Sequence, residues 1–411
     1  MSGGSGARGA DARAGIERWL ASHDGEVVAW RHHLHRNPEL GHSEHATTSF
    51  VAEALRAAGL APRILPGGTG LTVDLEPVGG AGDGPLVALR ADLDALPIRE
   101  ASGEPFASEV DGVMHACGHD VHTASLLGAV LALASLPHLP GRIRAIFQPA
   151  EEVMTGAIAA IDAGVMHGVD QIFMLHVAPG LRTGTIGAAT GPATSSSDAI
   201  TVRLTGPGGH SSRPNDTADI VYALGSVITS LPALLTRRLD PLDAGVLVWG
   251  QVESGKTANV IPTEGLLRGT LRLGSREAWD EAPALVAELL DGVLAPTRAS
   301  HELEYQRGVP PVVNDAAAVA LASRVADDDL GHDAFVPLPR TGAGEDFAYY
   351  LDHAPGALIS LGVWDGRGEP TSVHRDTFRA DDAALAVGVR TYAGLALAAH
   401  AELAGAARPD A

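Results

Sequence analysis

Apolar residues recur at helical spacing from Ile16 through Trp19, Leu20, Val27 and Trp30 to Leu34, which predicts an amphipathic helix over 16–36. It stops before Asn37-Pro38, because proline cannot continue a helix and biases its predecessor away from helical angles. A second amphipathic helix covers 45–58 and closes at Gly59. Residues 71–75 then read as a strand. Leu86-Val87-Ala88-Leu89 is an unbroken apolar run of the kind buried on both faces of a parallel sheet. It empties into Arg90-Ala91-Asp92-Leu93-Asp94, so two aspartates follow its carboxyl end, the edge where open α/β sheets collect their chemistry. An Ala/Leu-rich run over 121–136 reads as a buried helix. Residues 142–147 form the next strand and lead into Gln148-Pro149-Ala150-Glu151-Glu152. A helix over 158–163 and a strand over 171–175, ending in His176, complete a doubly wound alternation.

Near residue 194 the texture becomes small and polar. Residues 198–204 and 266–273 alternate polar with apolar, as antiparallel strands with one open face do. A strand over 246–252 and helices over 218–231 and 276–294 give a β-α-β-β-α-β order that resembles the ferredoxin-like arrangement. From residue 315 the first pattern resumes, with a helix over 316–325, a buried strand over 358–361 and a closing helix over 383–403. The predicted organisation is a disordered tail over 1–14 and a discontinuous α/β catalytic domain over 15–193 and 308–411. That domain holds a mixed, mostly parallel sheet flanked by helices. An α+β domain is inserted over 194–307.

Length changes little in this picture: 411 residues are comfortable for two domains. A net charge of -21 argues against nucleic acid, which wants a basic patch, and against an anionic membrane surface. A single cysteine excludes an intrachain disulfide. Residues 1–13 lack the apolar core of a secretory signal, and the longest apolar runs fall short of a bilayer span. The expectation is a soluble cytoplasmic protein.

The candidate chemistry centres on Met114-His115-Ala116-Cys117-Gly118-His119-Asp120-Val121-His122. Thiol, imidazole and carboxylate together suit zinc, or manganese and cobalt with more reluctance. Alone, the stretch reads equally well as a hydrogen-bonding loop with Cys117 as a small buried hydrophobe. The other polar candidates, Asp94, Glu151, Glu152, His176 and His374, fall at strand ends or in loops. Together they are too many for one tetrahedral ion and fit a two-metal site, where paired ions clamp a water and polarise a carbonyl. Adjacent Glu151 and Glu152 divide into a ligand and a general base, although such a pair is also common as solvated surface charge.

Leu89–Pro97 (LRADLDALP), Met114–His122 (MHACGHDVH), Phe147–Glu152 (FQPAEE) and Gly208–Pro214 (GGHSSRP) resemble the aminoacylase/carboxypeptidase G superfamily of dimetal peptidases. Within it the match is to the N-acyl-amino-acid amidohydrolases, the group of hippurate hydrolases and auxin-conjugate hydrolases. Residues 28–40, 257–262 and 344–347 extend the resemblance, which runs from about residue 29 to 395. It implies two divalent metal ions per subunit, zinc, manganese, cobalt or nickel, held by Cys117, His119, Glu152, His176 and His374. It implies Glu151 as the general base for a metal-bridging water and Asp94 as the acid orienting a ligand. His210 on the insert would stabilise the oxyanion, in relatives from across a dimer, the small domain serving as lid and dimerisation surface. Asn259 and Arg272 are candidates for the amide oxygen or substrate carboxylate, and Arg272 reads equally as a solvated strand residue. The implied reaction releases a carboxylic acid and a free amino acid from an N-acetyl, N-benzoyl or indoleacetyl substrate, in a homodimer or higher homo-oligomer.

The chain departs from the family after its last ligand, where relatives often carry Ser or Asn followed by Pro and this sequence has Arg375-Asp376. His32, His33 and His35 are expected as surface imidazoles, and His115 and His122 as hydrogen-bonding neighbours of the ligands. Rival readings are a metallo-carboxypeptidase or dipeptidase on the same fold, a thiol hydrolase with Cys117 as nucleophile, and a non-catalytic metal-binding protein, which Glu151 disfavours.

Overall fold

In the computed structural model, which describes residues 3–77, 84–243 and 245–406, the Leu86–Asp92 strand is buried at every position. Arg142–Gln148 and Gln171–Arg182 flank it, both parallel, and Gly356–Trp364 runs parallel to Gln171–Arg182. Antiparallel pairings join Leu71–Leu75 and Arg63–Ile64 on one side and Ile186–Ala188 on the other, where Phe335–Pro337 is outermost. The resulting eight-stranded sheet is mixed and mostly parallel, flanked by helices, an α/β fold. Four parallel central strands carry their carboxyl ends to one edge, and that edge receives the polar residues singled out above.

The helix His119–Ala134 is buried nearly all round, packed by Gly3–Arg36 and Ala383–Ala406. At Gly128 an added Cβ would lie 2.7 Å from Val389 Cγ2 and 3.3 Å from Val27 Cγ2, so the close packing of these helices needs a residue without a side chain there. The first helix starts at Gly3, and the disordered tail expected over 1–14 is, from Gly3 on, its opening turns. That stretch lacks apolar periodicity and holds as many glycines as alanines, so it carries no helix signal of its own; it extends a helix already formed, which costs little. Arg13 ties it down through ion pairs to Asp328 (2.8 Å) and Asp329 (2.6 Å). The strand expected to end at His176 continues to Arg182, which puts His176 mid-strand opposite Ser360.

The chain divides into two compact units, Met1–Gly191 with Asn314–Pro339 and Tyr349–Ala411, and Pro192–Val313 with Arg340–Ala348. The second unit holds a four-stranded antiparallel sheet in the order Val246–Ser254, Glu264–Arg272, Ser197–Thr205, Ser300–Val309. Helices Ile220–Arg238 and Arg276–Leu294 make the connections of a ferredoxin-like fold. Their apolar stripes (Ala223, Val227, Leu231; Val286, Leu290) pack on the alternating Ile200, Val202 and Leu204. Among the described residues two helices, Ile220–Arg238 and Ala383–Ala404, are long and apolar enough to cross a membrane by length and composition; the second is mostly buried.

One buried charge fixes the sheet of this unit. Asp198, 1% exposed, accepts the Trp279 Nε1–H (2.9 Å) and Gly308 N–H (2.8 Å) on Oδ1, and the Tyr305 hydroxyl (2.8 Å) on Oδ2. Removing it leaves the buried Trp279 indole N–H without this acceptor and takes a partner from the half-buried Tyr305 hydroxyl and Gly308 N–H. Asp198→Ala is expected to lower stability by about 3 kcal/mol, since each unsatisfied buried donor costs about 1–3 kcal/mol. Urea denaturation followed by tryptophan fluorescence checks this, and an unchanged midpoint would contradict it.

Candidate active site

Cys117 and His119 are set by the start of the buried helix His119–Ala134. Gly118, its N-cap, has φ 78, and an added Cβ would lie 2.7 Å from Val177 Cγ2. Glycine is needed twice over, for the left-handed backbone and for the close approach. Glu151 and Glu152 follow the Arg142–Gln148 strand, Asp94 follows the neighbouring Leu86–Asp92, and His176 lies on Gln171–Arg182, on the far side of Leu86–Asp92. His374 arrives from a loop far down the chain, fixed when its N–H donates to the Ala116 carbonyl (2.8 Å).

These groups converge. Cys117 Sγ lies 3.5 Å from His176 Nε2 and 3.3 Å from His374 Nε2. His374 Nε2 is 3.5 Å from Glu152 Oε1, and His119 Nε2 is 3.8 Å from Glu152 Oε1 and 3.9 Å from Glu151 Oε2. Cys117, His119 and His176 form one metal-sized triad, Cys117, Glu152 and His374 another, and the thiol belongs to both. His119 is wholly buried, yet neither of its ring nitrogens makes a well-aligned hydrogen bond to a described residue, nor does Glu152 Oε1. Buried polar atoms are rarely left so, and divalent cations are the partners this donor set fits.

The electrostatics point the same way. Burial pushes the Cys117 thiol up, but the facing His176, His119 and His374 rings outweigh it and bring it to about 7. The Cys117 sulfur and the Glu152 carboxylate that face it raise His374 to about 10 against the opposing effect of burial. Glu152 is held below the ordinary carboxylate range, burial being overcome by His374 and His119. The cluster therefore favours ionised thiolate and carboxylate, the forms that bind metal, while His119 and His374 are raised and must give up a proton when an ion takes its place.

Neighbouring groups orient the donors. Asp94 accepts the N–H of Glu151 on Oδ1 (3.1 Å) and of Glu152 on Oδ2 (2.9 Å), with Oδ1 3.3 Å from His119 Nδ1. The His176 Nδ1 faces the Val177 carbonyl (2.9 Å), which leaves Nε2 directed at the thiol. His122 has both nitrogens occupied, Nδ1 by Asp92 (2.6 Å) and Nε2 by the Val177 N–H (2.8 Å), so it offers no lone pair to an ion. His35 differs from its expected place at the surface. It is 2% exposed and bridges Asp120 (2.9 Å) and Glu100 (3.1 Å), while Arg31 bonds the same Asp120 oxygen (3.0 Å). Asp92, at the strand end beside Asp94, carried a visible sequence signal as an anchor. Arg31, Glu100 and Glu44, which bonds the Ala150 N–H, carried none, because each acts through a fold contact many residues away.

His210, Asn259 and Arg272 belong to the second unit. His210 and Asn259 come together on a short ribbon, in which Gly209–His210 pairs with Val260–Ile261 and the Ser211 N–H donates to the Asn259 carbonyl (3.3 Å). The His210 Nδ1 accepts the Ser212 N–H (3.1 Å), so the neutral ring carries its proton on Nε2. Arg272 ends the Glu264–Arg272 strand, with Nη1 donating to the Gly342 carbonyl (2.8 Å). The ribbon adjoins the other end of that strand.

Gly118→Ala is expected to destabilise by about 1–2 kcal/mol from the left-handed backbone alone, and further through the contact with Val177. Adding Val177→Ala should recover only the contact part. Equal stabilities for wild type and Gly118→Ala in urea unfolding would contradict this geometry.

Residues 88–398 match the family described as Peptidase family M20/M25/M40. A Rhodococcus jostii (strain RHA1) protein bearing a glutamate–cysteine ligase name is 46% identical over 371 residues, 90% of this chain. The chain spans 46% of that longer protein. The N-acetyl-L-cysteine deacetylase of Bacillus subtilis (strain 168) is 36% identical over 371 residues, 89% of this chain and 86% of the relative. A solved structure from Bacillus subtilis, a dinuclear metal binding peptidase from the M20 family, superposes with a TM-score of 0.80 at 34% identity, covering 92% of this chain and 98% of its own. With its matched span reaching well past half its length, the chain belongs to peptidase family M20/M25/M40.

Proposed function

We propose that the protein is a metal-dependent amidohydrolase that cleaves the amide bond of N-acyl amino acids to a carboxylic acid and a free amino acid. The observation that carries this reading is Glu151, a carboxylate 4% exposed, set beside the Cys117–His119–Glu152–His176–His374 donor cluster. A deacetylase of N-acetyl-L-cysteine among the relatives points to the same bond class. When bound, two divalent ions supply Lewis acidity for the amide carbonyl and for a water; zinc, manganese, cobalt and nickel all suit the donors, with the thiolate favouring zinc.

The protein's own groups do the rest. Glu151 takes the proton of the attacking water and delivers it to the leaving amine nitrogen, the single carboxylate acting first as base and then as acid. Asp94 fixes the direction of Glu151 through its backbone and of His119 through Nδ1. His210, with its proton on Nε2, donates to the oxygen that becomes negative as the carbonyl is attacked. Asn259 beside it holds the amide oxygen, and Arg272 pairs with the substrate carboxylate.

Arg272 and the His210 ribbon lie at opposite ends of a strand whose Glu264–Arg272 span is roughly 26 Å. A substrate the size of an acyl amino acid does not bridge that distance. We therefore assign His210 with Asn259 and Arg272 to different copies serving one site in a homodimer. Val246, Val248 and Val252, each more than half exposed on the outermost strand of the four-stranded sheet, supply an apolar edge for a second copy. A cytoplasmic location suits the single ionisable cysteine.

Glu151→Gln is expected to lower turnover of an N-acetyl amino acid by about 10²–10⁴-fold, with bound metal unchanged. Chelation should abolish wild-type activity and divalent metal should restore it. Hydrolysis persisting in Glu151→Gln would eliminate the mechanism, and indifference to chelation would favour a thiol nucleophile at Cys117.

A further inference from the structure

We propose that Glu44 is a positioning residue for Glu151, acting through the backbone of Ala150; the inference rests on Glu151 being the proton-transfer group. Glu44 is completely buried, and its Oε1 accepts the Ala150 N–H at 2.7 Å. Ala150 immediately precedes Glu151 and has φ 57, a left-handed conformation that an alanine adopts only when its surroundings enforce it. The next two N–H groups, of Glu151 and Glu152, go to Asp94. Three successive amides of the turn are thus held by two carboxylates, one from each of two distant segments.

Glu44 sits where its side chain would ordinarily do something else. It is the N-cap of the His45–Ala57 helix, and an N-cap carboxylate usually accepts from that helix's own first N–H groups. Here Glu39 takes those groups, bonding the Ala46 N–H (3.1 Å) and the Thr47 N–H (2.7 Å), and Glu44 is left to face the turn. The residues around it make the same contact. At Gly41 an added Cβ would lie 3.3 Å from Ala150 Cα, 3.3 Å from Asp94 Oδ2 and 3.1 Å from Val153 Cγ2. His42 Nε2 lies 2.7 Å from Thr155 Oγ1, at the far end of the turn. Residues 41–44 therefore clasp residues 150–155 along their length. Without the Glu44 acceptor, the Ala150 amide is unpaired in a dry site and its left-handed angle loses its restraint. The Glu151 carboxylate then swings relative to its metal-ligating neighbour, and proton transfer is sensitive to such displacements.

The test compares metal-loaded, full-length Glu44→Ala and Glu44→Gln with wild type on an N-acetyl amino acid. Glutamine keeps the Oε1 acceptor, and alanine does not. Glu44→Ala should lower kcat roughly 10- to 100-fold, with KM within about twofold and bound metal unchanged, and Glu44→Gln should restore most of kcat. Placing Ala150→Gly in the Glu44→Ala background should recover part of the loss, because glycine accepts a positive φ freely. Should Glu44→Ala not fold, Glu44→Met, of similar volume and without an acceptor, replaces it. Wild-type kcat in the variant lacking the acceptor, or a Gln variant as slow as that one, would overturn the proposal. Glu151→Gln, assayed alongside, separates the two readings: turnover there removes the base assignment, whereas an inactive Glu151→Gln beside a fast Glu44→Ala removes Glu44 alone.

Discussion

Acidic groups crowd around one buried imidazole, and that crowding is the constraint on which the rest of the structure depends. Asp92, Asp94, Cys117 and Glu151 are each at most 6% exposed, and with Glu152 they surround His119. Bringing several anions together out of water is strongly unfavourable unless positive charge and donated hydrogen bonds share the space. Backbone N–H groups serve Asp94, Arg90 and His122 serve Asp92, and His176 and His374 flank the thiol. The proposed pair of divalent ions answers what is left over at His119 and Glu152.

The fold places that charge where it is usable. Parallel strands deliver their carboxyl ends to one edge, so Asp94, Glu151 and His176 reach a common point without long loops. The buried helix behind them presents Cys117 and His119 at its N-terminus, where partial positive charge favours a thiolate. Left-handed residues recur around the cluster at Gly118, Ala150 and His374. Only the first is glycine. The other two are held by specific hydrogen bonds, from Ala150 to Glu44 and from His374 to Ala116, which is how a loop distant in sequence is kept within contact of the thiol.

What the sequence revealed follows from which interactions are local. The central strands were legible as apolar runs, the flanking helices as periodic stripes, and the α/β fold with its ferredoxin-like insert from their order. The cluster Cys117–His122 and the pair Glu151–Glu152 stood out because chemistry-bearing residues were adjacent. Long-range partners left no such trace. His35 looked like a surface residue of an amphipathic helix, and only packing shows it bridging Asp120 and Glu100. Nothing in the sequence singled out Glu44, and only the contact with Ala150 distinguishes it. The opening turns of the first helix were missed because they have no apolar stripe and as many glycines as alanines, and they extend a helix formed further along.

The central claim is that Cys117, His119, Glu152, His176 and His374 would together hold a pair of divalent ions, the thiol being common to two of the donor triads. Anomalous diffraction from crystals of the zinc- or manganese-loaded protein, collected either side of the metal edge, addresses it directly. The account predicts two anomalous peaks roughly 3.5–4 Å apart, with Cys117, His119, Glu152, His176 and His374 all among the coordinating side chains. A single peak, or a pair of peaks whose coordination omits Cys117 or His374, would contradict it.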